Sequence, residues 1–293
     1  MQEKNDNLIS KLLVFLGSIK NGFIVGSSML IPGVSGGTMA LILGVYDSLI
    51  HSINNLFKDF KKNFIFLLKF CLGAVLGFLV FGKGIGYLVE NFEIPVKYFF
   101  VGAVLGGLPL LFKKSTVRKD SVQDIFTAII SFVLGVSIVF SLSFIPTDTS
   151  VNVDFSVKGI IMLLITGVIV AVALVLPGIS TSHMLIIMGV YYPIIEHTRE
   201  NLGLIAALGI STVIGILLIT RFLEFFLNRF PKATYFSIIG FVMGSIKQLL
   251  LNDNNPQNIY YAIPKGFGWG VAVIAVVLGF TVTFLMSKKE REN

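Results

Sequence analysis

Charge is the scarcest property of this chain. Only 13% of its 293 residues are Asp, Glu, Lys or Arg, against about 25% in an ordinary soluble domain. A water-facing surface around a core of this size needs many more polar side chains. The shortage excludes a soluble enzyme and a disordered chain. There is one cysteine, Cys71, so no internal disulfide forms and a secreted disulfide scaffold is excluded. Cys71 sits in an apolar run beside Gly73 and reads as a small hydrophobe. Three histidines and a single cysteine provide no metal-ligand constellation. No Walker loop occurs, and no basic, aromatic-interleaved stretch suggests nucleic acid. The one tryptophan, Trp269, opens the last apolar run, where an interface anchor is expected. Neither a metal nor a cofactor is implied.

What the chain has instead is hydrocarbon. Hydrophobic residues make up 55% of it, and its mean hydropathy is +0.87. This is the composition of a polytopic membrane protein. Glycine is also abundant, 29 residues, or about one in ten against a usual ~7%. Close helix contacts and broken helices in membranes both use it. Residues 1–7 are polar and mixed in charge, and Lys11 and Lys20 interrupt the apolar run behind them. No small-residue cleavage site follows, so the segment does not read as a removable signal peptide.

Ten apolar stretches divide into two halves. The first half holds 8–31, 38–54, 63–89, 98–112 and 122–145; the second holds 157–176, 182–196, 202–227, 234–250 and 266–286. A helix needs about 20 apolar residues to cross the hydrocarbon, and 38–54 and 182–196 fall short. The halves repeat. Pro32-Gly33-Val34-Ser35-Gly36-Gly37-Thr38-Met39 aligns with Pro177-Gly178-Ile179-Ser180-Thr181-Ser182-His183-Met184 at an offset of 145. The match continues through Gly44-Val45-Tyr46 and Gly189-Val190-Tyr191. At an offset of 138, Gly102 and Gly106 pair with Gly240 and Gly244, and 87–92 with 225–230. An ordered series of this kind is a duplication.

Loop charges orient the chain. The net charge is +7. Lys4 with Lys11, Lys58 with Lys61 and Lys62, Lys113 with Lys114, Arg118 and Lys119, Arg229 with Lys232, and the tail with Lys288, Lys289 and Arg291 all read as cytoplasmic. The loop 146–154 has two Asp and no cation and reads as outside, as does 252–256. The first two segments then begin and end inside, and the sixth and seventh begin and end outside. Each pair is two spans or one re-entrant hairpin, and the short second members with Pro-Gly tips favour re-entry. The expectation is an all-α polytopic protein with two inverted repeats, each a re-entrant helical hairpin followed by three transmembrane helices. The repeats cover 1–145 and 146–293, with hairpins at about 10–54 and 157–197, in one integrated membrane domain.

Each hairpin tip places non-helical backbone at membrane depth, which is tolerated only inside protein or beside a wet cavity. Pro32 and Pro177 end the incoming helices, and Gly33, Gly36, Gly37 and Gly178 permit a tight turn. Ser35 and Ser180 suit the N-caps of the outgoing helices. Free N–H groups at a helix start attract anions, and Thr38, Thr181, Ser182 and His183 add donors. Two cations occupy equivalent embedded positions, Lys83 and Arg221. The run 202–230 spans about 43 Å, and Arg221 lies only about 8 Å past its middle. A cation at that depth serves a pathway or a partner; the plainer alternatives are snorkelling or a local pair with Glu224. Lys20 and Lys69 lie nearer the ends and snorkel. Glu196, His197, Arg199 and His51 sit at the hairpin bases, as gating or proton-relay candidates or as solvated interfacial groups.

Gly33-Val34-Ser35-Gly36-Gly37 also fits the G-x-S-x-G pattern of serine hydrolases. That elbow needs a preceding strand and acid and base partners, and the second copy keeps the serine without the glycines after it. A Ser35–His183 dyad is the one catalytic arrangement available, and the duplication accounts for Ser35 without catalysis. No catalytic residue is assigned.

At PGVSGGTMALILGVYDSLI and LPGISTSHMLIIMGVYYPIIE the chain resembles the bacterial polyprenyl-phosphate translocases, over about residues 10–287. The resemblance implies a flippase, not an enzyme. It implies movement of undecaprenyl phosphate, or a related polyprenyl phosphate, from the outer to the inner leaflet of the bacterial cell membrane, recycling the carrier lipid for wall polymers. The matching motif positions are 32–38 and 177–182, with His183 standing where the first repeat has Thr38. The physical reading agrees: opposed helix starts and an embedded cation replace headgroup hydration while the tail stays in lipid. A proton or sodium gradient is the candidate driving force. A small-anion channel using the same tips is the alternative, and a laterally open, lipid-sized groove counts against it.

Overall fold

The computed structural model describes residues 17–31, 34–115, 122–142, 144–145, 154–191, 193–194, 202–252, 260–261 and 263–292. They are helical almost throughout. The helices are α1 (17–28), α2 (Gly36–Ile42), α3 (Tyr46–Asn54), α4 (Phe60–Asn91), α5 (Glu93–Lys114), α6 (Val122–Leu142), α7 (Val157–Val175), α8 (Thr181–Ile187), α9 (Leu202–Arg229), α10 (Pro231–Leu250) and α11 (Gly268–Glu292). Among the described residues one small ladder departs from the all-α expectation. Strand β1 (Leu251–Asn252) pairs antiparallel with β2 (Tyr260–Tyr261), Leu251 opposite Tyr261.

Seven helices, α4 to α7 and α9 to α11, are long and apolar enough to cross a membrane. The chain is a multi-pass membrane protein. Large apolar side chains such as Leu79, Val80, Phe126, Val213 and Ile274 stand exposed along these helices, as contact with lipid tails requires and contact with water forbids. Six of the seven are the spans expected after the two hairpins. The seventh, α7, has 19 residues, about 28 Å, so its length alone suffices to cross. The helix after it, α8, has seven and cannot.

The stretches 38–54 and 182–196 are not continuous helices. Each breaks after seven helical residues, at Gly44 (φ 71°) and Gly189 (φ 68°). A left-handed residue stops a helix, and glycine carries no β-carbon to oppose it. The closing bonds repeat as well. Val45 N–H donates to Ala40 O at 3.0 Å, and Val190 N–H to Leu185 O at 3.0 Å. The duplication is therefore visible locally: α2 and α8 have the same length and matching C-terminal closing bonds, 145 residues apart.

The long helices pack in pairs through glycine. A β-carbon on Gly102 or Gly279 would overlap the backbone of Val276 or Phe99, which sets α5 against α11. Gly240 meets Phe132 and Gly135 meets Ser237, which sets α10 against α6. Small residues permit this approach, where dispersion replaces the hydrophobic effect. The middle span of each half thus pairs with the last span of the other. Lys247 extends the α10–α6 contact, its Nζ lying 4.1 Å from the Phe140 ring centroid and 4.6 Å from that of Phe144, a favourable cation–π arrangement.

The main core lies where the short helices insert. Six of the seven residues of α2 are buried, from Gly37 to Ile42. They pack with Val175 of α7, Leu223 of α9, Val104 of α5 and Ile238, Ile239 and Val242 of α10. At the basic end, Lys114 pairs with Asp47 of α3 and Lys232 with Asp124 of α6. Asn54 Nδ2 donates to Thr220 O at 2.9 Å and to Glu224 Oε2 at 2.7 Å, docking α3 on α9.

Candidate functional site

The two duplicated motifs meet in the interior. Ser35 (φ −87°, ψ 132°) and Ser180 (φ −80°, ψ 125°) hold extended backbone immediately before α2 and α8. Gly178 N–H donates to Thr38 Oγ1 at 2.8 Å, a buried bond between one motif and the other. Gly37 faces Pro177 and the Leu174 carbonyl closely. Tyr46 O–H donates to Val175 O at 2.7 Å, two residues before Pro177. Pro177 is fully buried. Gly178 lies at φ 85° with its α-carbon against the Phe241 and Val242 backbone of α10. Both its conformation and its surroundings demand glycine.

The capping hydroxyls differ. Ser180 Oγ accepts from His183 N–H at 3.5 Å, an N-cap bond. Ser35 makes no such bond, and its buried Oγ has no hydrogen-bond partner. His183 Nε2 is likewise buried without one. A serine nucleophile needs a base in hydrogen-bond reach, and the Ser35–His183 bond of the hydrolase reading is not formed. Buried polar atoms are normally paired, so Ser35 and His183 carry unused capacity to bind.

The structure thus brings Gly37 and Thr38 together with Pro177 and Gly178. Ser35, Gly36 and Ser180 are the adjoining residues; Thr181 and His183 are half-buried, and Ser182 is exposed. Pro32, Gly33, Glu196, His197 and Arg199 lie outside the described residues. Lys83 falls within α4, and its side chain is also outside the description. Arg221 is exposed on α9, beside the buried Thr220 and Leu223. Glu224, its expected alternative partner, accepts from Asn54. His51 is exposed on α3 with its Nδ1 3.2 Å from Asn55 Nδ2. Among the described residues no acidic, His or Cys group could hold a metal ion.

Two polar residues that the sequence reading passed over are buried in this region. Lys97 on α5 is 2% exposed, with its Nζ 2.9 Å from Glu93 Oε1. Gln248 on α10 is also 2% exposed, and neither of its amide atoms has a partner. Lys97 falls just before the apolar run that begins at Tyr98, but α5 starts at Glu93. The i, i+4 spacing of Glu93 and Lys97 was the available signal.

A groove of about 820 Å³ opens between α1, α2, α4, α5 and α11. Met39, Ile42 and Leu43 line it from α2 and its C-cap; Phe23, Phe81, Phe99 and Leu278 form other parts of the wall. Three hydroxyls reach the wall and all are spent on backbone. Ser27 Oγ donates to Phe23 O at 2.7 Å, Ser28 Oγ to Val25 O at 2.7 Å and Thr283 Oγ1 to Ala103 O at 2.9 Å. What remains is hydrocarbon, within the usual size range of ligand sites. A second hollow of about 740 Å³ lies at the basic end, lined by Lys58, Lys61, Lys62 and Lys69 with Asp59.

Comparison with known proteins agrees with this chemistry. The family model described as undecaprenyl phosphate translocase-like matches residues 25–259. A protein of Staphylococcus aureus named polyprenyl-phosphate transporter is 29% identical over 284 residues, covering 94% of this chain and 97% of its own. A Vibrio cholerae protein of the same name is 27% identical over 257 residues, covering 83% and 80%. No solved structure gives a significant match.

Proposed function

From the membership of this chain in the undecaprenyl phosphate translocase-like family, we propose that it carries a polyprenyl phosphate, undecaprenyl phosphate foremost, from the outer to the inner leaflet of a bacterial cytoplasmic membrane. The relatives are named as transporters of that lipid class. The observation that carries the reading for this chain is the apolar groove that shares α2 with the motif contact. A lipid needs a hydrocarbon wall and a polar centre side by side, whereas a small anion needs only the second.

In this reading α1 to α3 and α7 to α8 form two re-entrant hairpins, and the halves 1–145 and 146–293 are inverted repeats with both termini in the cytoplasm. The motifs are the hairpin tips. A phosphate taken from water loses hydration that hydrocarbon cannot replace. Ser35, Thr38, Ser180, Thr181, Ser182 and His183, with the free N–H groups of Gly36 and Gly37, replace it. The isoprenoid tail remains in the groove and the surrounding lipid. Lys83 and Arg221 remain candidate phosphate contacts, and Glu196, His197, Arg199 and His51 remain gating or relay candidates. A proton or sodium gradient drives the cycle.

The test is headgroup translocation of polyprenyl phosphate in liposomes with purified protein. Wild type should move the headgroup under one of the two gradients. A Ser35→Ala/Ser180→Ala double variant should be slowed at least about tenfold, the cost of one or two charge-assisted hydrogen bonds. Arg221→Ala should be affected less. No transport by wild type under either gradient would overturn the function; full activity of the double variant would overturn the site.

A further inference from the structure

Gln248 is the most conspicuous polar group in the interior that the tips do not include. We propose that it is a headgroup contact, meeting the lipid phosphate on the side of the tips away from the basic end. The inference rests on the lipid-phosphate reading above and extends its binding site to α10.

Three observations carry it. First, the side chain is buried and both amide atoms lack partners. Hydrocarbon cannot satisfy an amide. Second, its place on α10 joins the two tips. The Phe241 and Val242 backbone lies against Gly178 of the second tip. Leu249, next to Gln248, packs with Ile31 and Val34, which flank the first. Gln248 lies six residues beyond Val242, about 9 Å along the helix. Third, the same layer holds a buried cation. Val96, Phe100 and Val101 of α5 pack on the Ile31–Leu249 cluster, and Lys97 lies among them in sequence, buried against Glu93.

The chemistry selects a phosphate monoester carrying one proton. The Nε2 amide donates to a phosphoryl oxygen, and Oε1 accepts from the P–O–H group. A carboxylate has no proton for Oε1, and a polyprenol has a single hydroxyl that uses only part of the amide. Gln248 therefore distinguishes the phosphorylated lipid from the free alcohol.

The experiment uses the full chain purified in detergent, with binding of undecaprenyl phosphate and of undecaprenol followed by thermal shift. Wild type should be stabilised by the phosphate and little by the alcohol. Gln248→Leu should keep or raise the ligand-free melting temperature, because an unsatisfied amide has been removed. Its affinity for the phosphate should fall about tenfold or more. Gln248→Glu, nearly the same shape, should lose the phosphate response through charge repulsion and serves if the leucine variant does not fold. Undiminished phosphate affinity in either folded variant would overturn the inference while leaving the lipid reading intact. So would a lower ligand-free melting temperature in Gln248→Leu with the phosphate response preserved, which marks a structural amide or a buried water. A wild type that fails to separate phosphate from alcohol would instead overturn the lipid reading, and this inference with it.

Discussion

Gly178 shows how little freedom a single residue has here. Its φ of 85° is left-handed and its α-carbon abuts the α10 backbone, so Gly178→Ala pays both strain and overlap. The expected loss is about 2 kcal/mol or more, measured as a lower melting temperature of the solubilised protein. Gly44 and Gly189 need only the conformation. Gly44→Ala should cost about 1 kcal/mol, and Gly189→Ala about the same, because their cap bonds match. Thr38→Val removes the acceptor for Gly178 N–H. It leaves a buried donor unpaired and should cost about 1 to 3 kcal/mol.

Among elements, the short pair α2 and α8 were legible from their Pro-Gly-x-Ser starts. The breaks that end them were less so: Gly44 and Gly189 were seen as part of the repeat, but not as helix stops, since a lone glycine inside an apolar run has many uses. Gly102 and Gly240 were legible as matched positions of the repeat, and the overlap a β-carbon would cause at each sets α5 against α11 and α10 against α6. The orientation of single side chains was the weakest part. In a soluble helix the polar face marks the outside, but a helix in lipid is apolar on both faces. Depth could be read for Arg221, yet not its exposure. For the same reason Gln248 and Lys97, near helix ends, were passed over, and only packing shows them buried. The groove was invisible in sequence because five elements build it. It makes its own prediction. Leu278 lines the groove yet is half exposed, so Leu278→Trp narrows the channel for a tail without crowding the core. Headgroup translocation should slow severalfold while the melting temperature changes by the small amount usual for surface sites, within about 0.5 kcal/mol.

On the scale of the whole molecule, the crossing of partners between halves decides how the chain assembles. The α5 surface around Gly102 is completed by α11, and the α10 surface around Gly240 by α6. Neither half contains a complete set of contacts, although the sequence repeats near 146. Residues 1–145 expressed alone should fail to accumulate as a folded, protease-resistant species. Co-expression with 146–293 should restore it, as a complex that copurifies through a tag on either piece. The bond between Thr38 and Gly178 has a consequence for the empty transporter. It ties one motif to the other, and under the proposed function a headgroup that took the Gly178 N–H would have to displace Thr38 first, so that binding and separation of the two motifs would be one competitive event.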